Sequence, residues 1–152
     1  MSVRSAPLTR GVQSLPRQGP LPVGVKLQLT LEILRAYVRV QWALAHGNLP
    51  KTIQFLRRRG PNSTRELEIE ELVTAARLGG AVQRLLHHMP FDSRCLARSL
   101  VLSCLLDRRE IPSVLVIGVR ASPQFAAHAW VETAGIPLLP AGGRSYQRLA
   151  EL

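Results

Sequence analysis

The chain has 152 residues, 46% of them apolar, and a net charge of +10; this is one domain of ordinary size, able to bury a core without metals or disulfides and too apolar for wholesale disorder. Residues 1–60 hold ten Lys or Arg against Glu32 alone, a net +9, while the rest hold ten against nine acids, a net +1, a field suited to an acidic peptide, an acidic protein, phosphates or an anionic lipid surface. Residues 1–25 contain no compact apolar stretch with a small-residue cleavage site and no run is apolar enough to span a bilayer, so the expected location is the reducing cytoplasm.

Residues 1–23 carry Pro7, Pro16, Pro20 and Pro22 among glycines and serines, which predicts a flexible basic arm ahead of a single domain over 24–152. From Gly24 to Ala45, Leu27, Leu31, Leu34, Val38 and Trp42 recur at spacings of four and three, with Gln28, Glu32, Arg35 and Arg39 beside them. That is an amphipathic helix, whose leucine stripe is expected to pack on the core. His46-Gly-Asn-Leu-Pro50 breaks the chain, and a short helix to Arg59 is stopped by Gly60-Pro61. Ser63-Thr-Arg-Glu66 has capping-box spacing and predicts a helix to about Leu78. After Gly79-Gly80, Val82, Leu85, Leu86 and Met89 mark a further helical face that Pro90 ends. Residues 24–90 are thus the helical part.

Residues 91–152 change character. Asp92 or Ser93 can cap a helix from Arg94 to about Arg108, with Leu96, Leu100, Val101, Cys104 and Leu105 facing inward. Pro112 opens a β-branched run to Val119, expected to be buried on both faces. A polar loop then leads to a second strand over Ala127–Thr133, a tight turn at Ala134-Gly135, and a returning strand over Ile136–Leu139.

Two residues in this segment can carry chemistry. With Ser93 as cap, Cys95 lies in the first helical turn, where unpaired N–H groups, the helix dipole and the neighbouring Arg94 and Arg98 favour a negative thiolate. His128 begins an apolar strand and shares a face with Trp130; an imidazole there can exchange protons with a thiol. Cys104 sits among leucines and reads as core, and nine residues of helix, about 13 Å, keep it from bridging to Cys95. His46, His87 and His88 are weaker candidates. No zinc-like spacing, phosphate-binding glycine loop or Gly-x-Ser-x-Gly elbow occurs, so neither metal nor cofactor is expected.

Ser-Arg-Cys95-Leu-Ala-Arg-Ser99-Leu-Val-Leu102, Ile111-Pro-Ser-Val-Leu-Val-Ile-Gly-Val119 and Ala127-His128-Ala-Trp-Val-Glu132 together resemble the lasso-peptide biosynthesis B2 proteins, which are transglutaminase-like cysteine peptidases. The resemblance runs best over residues 65–140. It implies an α+β fold in which a helical N-terminal half precedes a papain-like or transglutaminase-like core, a Cys-bearing helix packed on a small antiparallel sheet. It implies removal of the leader from a ribosomally made precursor peptide, with Cys95 as nucleophile and His128 as base and acid. The implied partners are the precursor, a separate winged-helix leader-recognition protein and the lasso cyclase.

The resemblance also implies an Asp about twelve residues after the His, orienting the imidazole. Leu138-Leu139-Pro140 stands there, leaving a backbone carbonyl, a water, a residue from elsewhere, or nothing as the third member. Glu132 lies about 13 Å from His128 along the strand, and Asp92 is the other nearby acid. Two other functions remain open from sequence: an impaired relative that scaffolds leader and cyclase, and a basic module for nucleic acid or anionic lipid. Nucleic acid is not expected, because the basic residues are not interleaved with stacking aromatics.

Overall fold

The computed structural model describes residues 22–47, 67–87, 95–121, 124–141 and 146–152. The proline-rich arm, the short helix to Arg59, the Ser63–Glu66 box and the Asp92 or Ser93 cap lie outside the described residues. Among those described, three helices, α1 (Val23–His46), α2 (Ile69–His87) and α3 (Cys95–Arg108), precede four strands, β1 (Val114–Arg120), β2 (Ala126–Thr133), β3 (Ile136–Pro137) and β4 (Gln147–Glu151). The strands form one antiparallel sheet in the order β3-β2-β1-β4. The fold is α+β, a helical layer on a small antiparallel sheet, as expected from the sequence.

α3 is the centre of the molecule. Ala97, Leu100, Val101, Leu102, Cys104, Leu105 and Leu106 are all buried, along with Ser99 and Ser103, so the helix is covered on every side, as a core helix must be when apolar residues surround it. It packs against α1, α2, β1 and β2. At its far end, Arg109 donates two hydrogen bonds to the Glu32 carboxylate, at 2.6 and 3.0 Å, clamping α1 to the end of α3.

α1 corrects the sequence reading. It buries Ile33, Ala36, Tyr37, Val40 and Ala43, while Leu27, Leu31, Val38 and Trp42 stand 60%, 45%, 66% and 57% exposed. The helix carries two apolar stripes on roughly opposite sides, at 100° per residue. The stripe with the smaller side chains faces inward, because Ala36 and Ala43 let the backbone approach neighbouring elements closely. Leucine count favoured the wrong stripe.

α2 supplies a second correction. One helix runs unbroken through Gly79-Gly80, where a break was expected. It starts at Ile69, with the Glu68 N–H donating to Glu71 Oε2 at 3.1 Å. Gly79 serves packing: a Cβ there would lie 2.4 Å from the Leu138 carbonyl oxygen. The glycine lets the chain after β3 pass directly against the helix.

In the sheet, Leu115 pairs with Val131 and Ile117 with Ala129, sharing one face; Val116 pairs with Trp130 and Gly118 with His128, sharing the other. Leu115 and Val116 are both fully buried, but the later half of β1 is only partly covered, so burial on both faces holds for the start of the strand. Ala134 and Gly135 both take positive φ, 50° and 75°, the geometry of a two-residue hairpin turn. The third strand is shorter than the expected Ile136–Leu139, and β4 is an additional edge strand. β4's pairing with β1 shifts register at Ile117/Gly118, and reciprocal backbone hydrogen bonds between Leu115 and Leu152 follow it.

Candidate functional site

Cys95 is the first residue of α3, half-buried and packed against the core. The N–H groups of this turn have no acceptor within the helix. Ser99 follows one turn later on the same side. Its buried hydroxyl donates to the Ala129 carbonyl at 3.0 Å, stitching the start of α3 to β2 at the residue after His128. Helix and strand are therefore joined one turn after Cys95 and one residue after His128.

His128 is half-buried on β2 opposite Gly118. Its Nε2 lies 2.7 Å from the Pro140 carbonyl oxygen. A carbonyl can only accept, so Nε2 carries the proton of the neutral ring and Nδ1 holds the lone pair. Of the alternatives open at the third position, the backbone carbonyl is the one that meets the imidazole. The ring stacks with Trp130, centroids 6.0 Å apart at 21°, and lies 5.4 Å from the Tyr146 ring at 42°. Orientation thus comes from one hydrogen bond and two aromatic contacts.

The Pro140 carbonyl is itself held. The Leu138 N–H donates to the Val131 carbonyl at 2.8 Å, Leu139 is buried, and Leu138 lies against Gly79 of α2. On the other side, Gly118 makes room for Trp130: a Cβ there would come within 2.8 Å of the indole ring. The indole N–H donates to Glu132 Oε1 at 2.7 Å, and Arg148 donates two bonds of 2.9 Å to the same carboxylate. Hydrogen bonds to Glu151 and Glu132 hold the Arg148 guanidinium more firmly in its charged form. Beyond the strand, the Arg120 guanidinium sits 5.4 Å from the centroid of the Tyr146 ring.

Glu132 is thus engaged by Trp130 and Arg148 and does not orient His128. Asp92 lies outside the described residues, as do Arg94 and His88. Cys104 is 3% exposed in the core, and both cysteines are free thiols. His46 bonds the Trp42 carbonyl through Nδ1 at 2.8 Å and stacks on the Trp42 ring, which ties it to α1 and away from the site. His87 ends α2. Among the described residues, no three His, Cys, Asp or Glu side chains gather as a metal site would require.

Sequence reasoning missed Ser99 and Tyr146 as parts of this site. Ser99 sits four residues after Cys95, and that helical spacing was the signal for it. Tyr146 offered none, because only the tertiary fold brings it to His128.

A profile described as Transglutaminase-like superfamily matches residues 32–151, which include both candidates. The microcin J25-processing protein McjB of Escherichia coli is 45% identical over 51 residues, 34% of this chain and 24% of that protein. The match spans about a quarter of that relative's length. No solved structure gives a significant match. Among the described residues no helix is long and apolar enough to cross a membrane.

Proposed function

Because the chain belongs to the transglutaminase-like superfamily, we propose that it is a cysteine peptidase that removes the leader from a lasso-peptide precursor. The observation that carries this reading is the hydrogen bond from His128 Nε2 to the Pro140 carbonyl, which leaves Nδ1 as the base on a strand stitched to the Cys95 helix. The local likeness to a microcin-processing protein supports peptide processing as the context.

In this reading Nδ1 takes the Cys95 proton and the thiolate attacks the carbonyl joining leader to core. The oxyanion faces the unpaired N–H groups at the start of α3. The imidazolium returns its proton to the departing amine, and the C–N bond breaks, freeing the core peptide with a new N-terminus. The leader stays as a thioester on Cys95. Water, deprotonated by Nδ1, attacks the thioester, and leader carboxylate and thiol are released. The freed amine is the group a cyclase needs, which makes the cyclase a functional partner and a leader-recognition protein the means of presenting the precursor. Lacking a carboxylate, the third position offers the imidazolium only a dipole; a thiol nucleophile tolerates this better than a hydroxyl does.

The test is to incubate the protein with precursor and recognition protein and to follow cleavage by mass for wild type, Cys95→Ala and His128→Ala. The proposal expects cleavage at the leader–core junction by wild type alone. Cleavage surviving Cys95→Ala would remove the mechanism. Precursor binding without cleavage by wild type would mark a scaffold, and salt-sensitive binding to arbitrary DNA or anionic vesicles would mark a basic binding module.

A further inference from the structure

The face of the sheet that carries His128 also carries an arginine whose charge the fold leaves uncompensated. In the antiparallel register Arg120 stands opposite Ala126 and Gly118 opposite His128, so Arg120 and His128 share a face, one diagonal step apart, a separation that a long side chain spans. The guanidinium carbon of Arg120 lies 5.4 Å from the centroid of the Tyr146 ring, and the centroid of the His128 ring lies 5.4 Å from the same point. The two groups therefore flank one aromatic ring.

Arg120 Nε is buried and, among the described residues, has no hydrogen-bond partner. No carboxylate among them answers its charge either. The acids of this face are Glu132 and Glu151, opposite Val114 and Val116 of β1, and Arg148 engages both, at 2.9 and 2.7 Å. An arginine kept for packing alone would have its buried N–H paired and its charge matched, because leaving either undone costs free energy. The contact with the Tyr146 ring offsets this cost only in part. Arg120 is part-exposed, so the outer edge of the guanidinium is open to a ligand while Nε is held inside.

The chemistry of the group limits the ligand. A planar cation with parallel N–H donors matches a carboxylate, whose two oxygens it can bond at once. An extended peptide rises about 3.3 Å per residue, so a carboxylate held here belongs to a residue within about three positions of the bond that His128 serves. We propose that Arg120 is a substrate-binding residue that takes the side-chain carboxylate of an Asp or Glu close to the scissile bond, making an acidic residue there a specificity determinant. That the ligand is a peptide substrate rests on the peptidase reading; the carboxylate site itself rests on the surroundings of Arg120.

The test uses precursor peptides that carry Glu, Gln or Lys singly at each of the three positions on either side of the cleavage site, with the recognition protein present. At one position, wild type is expected to cleave the Glu peptide with a kcat/KM about tenfold or more above that of the Gln peptide, the scale of one charge-assisted hydrogen bond, with the difference in KM. Arg120→Gln should bring this ratio close to one, and Arg120→Glu should turn the preference toward Lys. A purely structural arginine would lower all the peptides alike and leave the ratio intact; that result overturns the proposal, as does a wild type indifferent to charge at every position. Fluorescence anisotropy of the same peptides, labelled and titrated with Cys95→Ala, reads the site without cleavage. Glu-selective binding that is lost in Cys95→Ala/Arg120→Gln upholds the carboxylate site even where wild type cleaves nothing and the peptidase reading falls. Binding equal for Glu and Gln at every position overturns it.

Discussion

A backbone carbonyl orienting an imidazole differs from an acid in one practical respect: replacing the side chain of its own residue does not remove it. Pro140→Ala should keep the acceptor at His128 Nε2 and lose no more than about fivefold in cleavage, the scale of proline's contribution to loop rigidity. His128→Ala removes the proton carrier and should lose about 10²–10⁴-fold in kcat. Steady-state cleavage of the same precursor measures both, and a Pro140→Ala loss as large as that of His128→Ala would contradict the assignment. The remote residue that matters is Gly79. An added Cβ would meet the Leu138 backbone oxygen at 2.4 Å, so either α2 or the segment that leads to the Pro140 carbonyl must shift. Gly79→Ala should cost about 1–3 kcal/mol of stability in urea unfolding and, for a carbonyl displaced by about 1 Å, roughly a hundredfold in kcat. This explains why the site was only partly legible in the sequence. Cys95 and His128 stand out by residue type and local context, whereas an orienting carbonyl has no side-chain signature, and Gly79 resembles a helix breaker until its neighbour is known.

At the scale of elements, the buried polar pair beneath the sheet sets a contrast. Glu132 accepts from the Trp130 indole N–H and from Arg148, and Arg148 is half-exposed. Glu132→Gln keeps an acceptor for the indole and should cost less than about 1 kcal/mol, while Glu132→Ala strands a buried N–H and should cost about 1–3 kcal/mol; thermal unfolding separates the two. In the hairpin turn, Ala134 holds φ at 50°, a conformation that Asn tolerates better. Ala134→Asn should therefore gain about 0.5–1 kcal/mol. The elements themselves were legible to different degrees. β1 announces itself by its β-branched run, and the Cys95 helix by its many apolar residues. β4, Gln-Arg-Leu-Ala-Glu, has no apolar alternation because it is an edge strand, exposed along most of its length and held by backbone pairing to β1. α1 was legible as a helix but not as to its buried face, since two apolar stripes compete and the one with alanines packs closer.

At the scale of the molecule, the candidate site lies where the three layers of constraint meet. α3 carries Cys95 into the core, Ser99 ties that helix to the strand of His128, and α2 backs the chain that presents the Pro140 carbonyl. α1 braces the arrangement through Glu32 and Arg109 and turns its second apolar stripe outward. The central claim is covalent. Acid quenching of the protein with precursor and recognition protein, followed by intact-mass and peptide mapping, should find a fraction of the chain heavier by the leader acyl group, attached at Cys95 and absent from Cys95→Ala. Leader removal that proceeds at full rate with Cys95→Ala, and with no adduct at any time, would contradict the account.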